Sequence, residues 1–87
     1  MPRHSSARRP YNPHLRHAFI ETAENQIRDG TPPEAKQTLN RLIRLGYSRQ
    51  EAVEKIAGVI AEETYYILHD QRKFDEERYV ARLQELT

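Results

Sequence analysis

The chain reads as all-α, a small four-helix bundle-like domain preceded by a basic N-terminal arm. Three observations predict this class. Apolar residues recur at three- and four-residue spacing over four successive stretches. Each stretch opens on a helix-start signal, and the first two close on glycine. No stretch alternates with period two over the length of a strand, so no sheet is predicted.

The elements follow in order. Asn12-Pro13 places a capping side chain ahead of a proline whose missing N–H costs nothing in a first turn. Leu15, Phe19, Ile20, Ala23 and Ile27 then share a face up to Arg28 and Gly30, which predicts a first helix over about 13–29. Thr31-Pro32-Pro33-Glu34 has the form of a capping box, with Thr31 as N-cap, and opens a second helix over about 32–45 on the stripe Ala35, Leu39, Leu42 and Ile43. Gly46 suits the left-handed end of that helix, and Tyr47 is placed to fold back on Leu42 as in a Schellman motif. Ser48-Arg49-Gln50-Glu51 is a second capping box, opening a third helix over about 49–69. Its stripe is Val53, Ile56, Ala57, Ile60, Thr64, Ile67 and Leu68, with Glu51 and Lys55 as an outer ion pair. At about 1.5 Å per residue it spans about 30 Å, long enough to be the central helix. Asp75 caps a fourth helix over about 76–86 with Tyr79, Val80, Leu83 and Leu86 inward, and Phe74 is placed to staple onto Tyr79.

Length and composition bound the function. A single domain of 87 residues buries only about 60–65% of its unfolded surface, so its core must be economical. The absence of cysteine excludes a disulfide framework, a thiolate metal site and a cysteine nucleophile. No apolar run reaches the roughly 18 residues of a membrane span, and the N-terminus lacks a signal-like apolar stretch, so a soluble, cytoplasmic protein is expected. Three glycines do not build a phosphate-cradling loop, and no nucleophile triad or dinucleotide fingerprint is present. No cofactor is expected, and the chain reads as non-enzymatic.

The net charge of +1 hides an asymmetry: Arg3, Arg8, Arg9 and Arg16 have no acid among residues 1–17, whereas residues 18–87 carry thirteen Asp/Glu against ten Lys/Arg. Residues 1–11 are polar, basic and proline-bearing, and are read as a flexible arm. Those four arginines make weak, salt-sensitive nucleic-acid binding the alternative function. His14, His17 and Glu21 lie on successive turns of the first helix, and with Glu63 they are the candidate metal or acid–base residues, although none of the spacings is a known metal motif. Of Glu62 and Glu63, Glu63, at the edge of the third stripe, is the better candidate for a buried acid paired with His17 or a tyrosine hydroxyl.

Five tyrosines are many for this length, and Tyr65 and Tyr66 are adjacent. Amphipathic rings suit the margin of a thin core and equally an interface. Ala57, Gly58 and Ala61 place small side chains on consecutive turns, which predicts a close helix crossing, within the chain or between two copies. The leading expectation is a non-catalytic module for protein–protein interaction or self-association, a homodimer or an adaptor, using Gly58, Ala61, Tyr65 and Tyr66.

Two resemblances add to this reading. Asn12-Pro13-His14, Glu24-Asn25-Gln26-Ile27, Pro32-Pro33, Arg41-Leu42, Gly46-Tyr47-Ser48-Arg49 with Glu51-Ala52, Ala61-Glu62-Glu63 and Phe74 to Tyr79 together resemble a family of small bacterial all-helical proteins, domain of unknown function 1841 and relatives. The resemblance spans roughly residues 12–86 and implies a compact bacterial helical domain with no assigned activity. The family pattern has histidines before the Glu-Asn-Gln and near the start of the third helix, where this chain has Ile20, Gln50 and Glu54. Separately, Leu45-Gly46-Tyr47-Ser48 with Glu51-Ala52 is similar to the first turn of ubiquitin-associated-like and RuvA C-terminal-like domains, which implies a protein partner.

Overall fold

The computed structural model describes residues 13–87. They form α1 (Pro13–Asp29), α2 (Pro33–Arg44), α3 (Arg49–Asp70) and α4 (Glu76–Glu85), with no strand among the described residues. The expected arm over residues 1–11 and the Asn12 cap lie outside the described residues.

Local chemistry sets the helix ends. At the end of α2, Gly46 takes φ 109° and donates its N–H to the Ile43 carbonyl, while Tyr47 N–H reaches the Leu42 carbonyl at 3.2 Å. This is the Schellman pairing the sequence predicts. Ser48 then caps α3 reciprocally: its hydroxyl accepts from Glu51 N–H at 3.1 Å and the Glu51 carboxylate accepts from Ser48 N–H at 2.9 Å. Glu51 is thereby used as a cap rather than as a partner of Lys55, whose ammonium instead lies 4.8 Å from the centre of the Tyr47 ring. Asp75 caps α4 by accepting from Arg78 N–H at 3.2 Å, and the Phe74 ring sits 6.0 Å from that of Tyr79 as a staple.

The other predicted box does not form. Pro32, in extended conformation, occupies the cap position of α2 and has no side-chain acceptor, so the helix begins one residue later than expected. The Thr31 hydroxyl turns back to the Asp29 carbonyl at 3.5 Å, and Ala35 N–H closes the first turn on the Pro32 carbonyl.

The third helix is the hub, as its length predicts: α3 packs against all three others, and α2 also touches α1 and α4. It supplies Ala52, Val53, Ile56, Ala57, Val59 and Ile60 to a core completed by Ala23 and Ile27 of α1, Ala35, Leu39 and Leu42 of α2, and Tyr79 and Leu83 of α4. Thr64, Ile67 and Val80 are half-buried outside it, and three further expected core residues, Leu15, Ile43 and Leu68, are exposed. Each of these last three sits at an end of its stripe. At about 1.5 Å per residue α3 is about 33 Å long and α2 about 18 Å, so the neighbours run out before α3 does. Past Glu63, α3 has no fully buried residue.

The α3 terminus carries a testable irregularity. Gln71, the residue that ends it, has φ 53° and ψ 37°, a left-handed conformation that costs a residue with a Cβ about 1 kcal/mol. Gln71→Gly is therefore expected to stabilise the fold by about 0.5–1 kcal/mol, seen as a higher urea midpoint at unchanged slope.

Candidate functional site

The surface that gathers most of the singled-out residues is the far half of α3 and the start of α1. Two interhelical ion pairs, Glu24 with Arg49 and Arg16 with Glu54, both at 2.8 Å, fix α1 and α3 as antiparallel. Leu15 and Phe19 therefore face the later turns of α3 across an open groove of about 840 Å³ whose α3 wall includes Gly58, Ala61, Tyr65, Tyr66, Leu68 and His69. Four of the seven exposed large apolar residues among the described residues, Leu15, Tyr65, Tyr66 and Leu68, line this one groove.

Its aromatic wall is ordered by local stacking. The Tyr65 ring stacks on His69 with centroids 4.1 Å apart and meets Tyr66 edge-on at 5.7 Å. Tyr66 in turn has the guanidinium groups of Arg72 and Arg78 each 5.7 Å from its ring centre. The wall thus presents apolar faces with polar edges, the surface chemistry enriched at protein interfaces.

Gly58 corrects an expectation. A Cβ at this position would meet nothing within 4 Å, so the close intramolecular crossing predicted for Ala57, Gly58 and Ala61 does not occur at the glycine. Ala57 is buried in the core, while Gly58 borders the large groove and a second one of about 370 Å³ on the α4 side.

Glu63, the candidate buried acid, is buried at 3% exposure, but its partner is neither His17 nor a tyrosine hydroxyl. Arg78 of α4 donates through Nε and Nη2 to Glu63 Oε1 at 3.2 and 2.9 Å. The second oxygen, Oε2, has no hydrogen-bond partner among the described residues and lies 4.0 Å from Arg82 Nη1. Arg82 itself pairs with Glu62. The bond from Glu63 holds the Arg78 guanidinium above its ordinary pKa. His14, His17 and Glu21 are exposed on α1, and no group of three or more His, Asp or Glu side chains among the described residues is arranged to hold a metal ion. The four metal candidates are not brought together.

Of the arginines proposed for nucleic acid, Arg3, Arg8 and Arg9 lie outside the described residues, and Arg16 is engaged with Glu54. Nearby, the bidentate bond from Arg49 holds the Glu24 carboxyl below its usual range. That exposed pair contributes its small stabilisation above the unfolded glutamate pKa and loses it as the pH falls through the folded one.

Four hydrogen bonds that tie α4 down escape the sequence reading. Thr38 donates to the Leu83 carbonyl at 3.3 Å, and Arg41 Nη2 donates to the carbonyls of Leu83 and Leu86 at 2.8 and 3.1 Å, so α2 side chains satisfy the end of α4. Tyr79 OH donates to Gln26 Oε1 at 2.5 Å and links α4 to α1. The one available signal was Thr38 and Arg41, polar residues three apart on the inner side of α2.

Burial, with a smaller contribution from the Glu63 charge, pushes the Tyr79 phenol up to about 12. In the unfolded chain the phenol ionises near its ordinary value of 10.0, so above it the folded state keeps a proton that the unfolded state has lost. Stability is then full below about pH 10 and falls as the pH rises towards 12. Two pH units correspond to about 2.7 kcal/mol, and screening at the part-buried hydroxyl reduces this to about 1–2 kcal/mol. Urea unfolding of the wild type across this range is expected to show the fall, and Tyr79→Phe to remove it.

Comparison of the chain with protein-family models, with curated proteins and with solved structures gives no match.

Proposed function

We propose that the chain is a non-catalytic helical module that acts through protein contacts, by self-association or as an adaptor, using the face formed by Gly58, Ala61, Tyr65 and Tyr66. One observation carries the reading: four of the seven exposed large apolar residues among the described residues are gathered in a single groove with an aromatic wall. Monomeric domains expose scattered apolar side chains as a matter of course, whereas a contiguous patch marks a binding surface. A domain this small also gains stability by burying such a patch against a partner.

Membership of the domain of unknown function 1841 family, a bacterial source and a cytoplasmic location belong to the same proposal. They rest on the short motifs and on the absence of cysteine, and they agree with a described chain in which no helix is long and apolar enough to cross a membrane. Binding of nucleic acid by the arm is the competing function. Deleting residues 1–11 tests it, since affinity for an oligonucleotide and its salt slope must both fall if the arginines make the contacts.

Sedimentation at increasing concentration tests the leading reading. The wild type is expected to exceed the monomer mass at high micromolar concentration, and Leu68→Glu, at 73% exposure, to return it to the monomer without unfolding it. A wild type that stays monomeric throughout removes the self-association form.

A further inference from the structure

We infer that the partner seated on this face is a second copy of the chain, with α3 crossing its own copy antiparallel about Gly58. The inference rests on the proposed self-association and specifies its geometry. The outward ridge of α3 runs Glu51, Lys55, Gly58, Glu62, Tyr65 and His69, at alternating spacings of four and three, so these residues share one face. In that ridge Lys55 stands three residues before Gly58 and Glu62 four residues after it. A two-fold axis beside Gly58 therefore sets Lys55 of each copy against Glu62 of the other, twice over, because an isologous contact repeats every pairing. A parallel pairing instead sets lysine on lysine and glutamate on glutamate. The charge pattern selects the antiparallel arrangement.

Both charges are available for it. Lys55 rests on the Tyr47 ring and has no carboxylate within ion-pair distance among the described residues. Glu62 is exposed and engages Arg82 through Oε1 alone. Space at the crossing is the independent observation. Among the described residues, no atom outside Gly58's own stretch of helix lies within 4 Å of where its Cβ would stand, and glycine in mid-helix is less stable than alanine. Nothing among the described residues uses the vacancy, whereas a second helix backbone can approach there. Gly58 and Glu62 border a groove on either side, of about 840 and 370 Å³, which receive the flanking side chains of the crossing helix.

The experiment is a charge exchange read by sedimentation equilibrium, with circular dichroism confirming that each variant is folded. Lys55→Glu and Glu62→Lys each place like charges at both contacts, so each alone is expected to dissociate at least about tenfold more readily than the wild type. Mixed in equal amounts, the two variants carry opposite charges at both contacts and are expected to recover a heterodimer. Gly58→Ala is expected to raise the urea midpoint of the monomer while weakening association. Wild-type association that Leu68→Glu abolishes but neither charge reversal alters by more than about twofold overturns the inference and leaves the groove reading standing. Single reversals that weaken association with no recovery on mixing overturn the antiparallel register. A wild type that is monomeric at every concentration overturns the self-association reading and this geometry together.

Discussion

Replacing Leu83 by alanine is expected to lower the free energy of unfolding by about 3–4 kcal/mol. Leu83 is fully buried and is one of only two buried residues that α4 contributes. Its helix packs against both α2 and α3, so the cavity left by truncation has no single element that can shift to fill it. The same residue's carbonyl accepts from Thr38 and Arg41, and loosening the helix around it releases both donors. For a domain of this size the loss is a large share of the total stability, typically at the lower end of about 5–15 kcal/mol. Urea unfolding followed by helical circular dichroism is the measurement. Loss of less than about 1 kcal/mol would show that α4 is dispensable to the core.

The second large effect belongs to the pair between Glu63 and Arg78. Arg78→Met is expected to be strongly destabilising, with a melting temperature lower by roughly 5–10 °C, because it leaves a buried carboxylate whose remaining cation, Arg82, stands 4.0 Å from Oε2. Adding Glu63→Met to Arg78→Met is expected to recover most of that loss, since an apolar pair of similar volume carries no desolvation penalty. Glu63→Met alone is expected to be the milder single change, because Arg78 keeps access to water with its side chain 27% exposed. Thermal melts of the three variants at neutral pH check the order. A double variant less stable than Arg78→Met alone would mean that the ion pair itself, rather than the burial of an unpaired acid, governs this site.

The two experiments bear on how the sequence encodes the molecule. Helix limits were legible because they are local: Ser48 with Glu51, Asp75 with Phe74, and Gly46 with Tyr47 each act within a few residues, and each does what its spacing predicts. Thr31 failed because two prolines in succession leave the cap position to one that has no side-chain acceptor. Burial at the ends of the stripes was not legible, since periodicity gives the direction of Leu15, Ile43 and Leu68 but not whether a neighbour reaches that far. Long-range pairs were the least legible. Glu63 could be named as the candidate buried acid, but Arg78 stands fifteen residues on, and only the packing of α4 across α3 selects it over a histidine on α1. Of the candidate site, Tyr65, Tyr66, Gly58 and Ala61 follow from composition and spacing and do share one groove; Leu15 and Leu68, read as core, line it instead, and Phe19 lines it while packing against the core.

The halt of burial at Glu63 has a kinetic consequence along a single unbroken helix. Amide protons of α3 exchange with solvent through openings whose cost follows the packing around each turn. Those from Ala52 to Glu63 are locked by the core and exchange only when the whole domain opens, whereas those from Thr64 to Asp70 are released by fraying of a bare helix end. Deuterium uptake should therefore switch from slow to fast within one turn of α3. A bound partner would carry protection further along the helix, turning that switch point into a ruler for how far the contact extends.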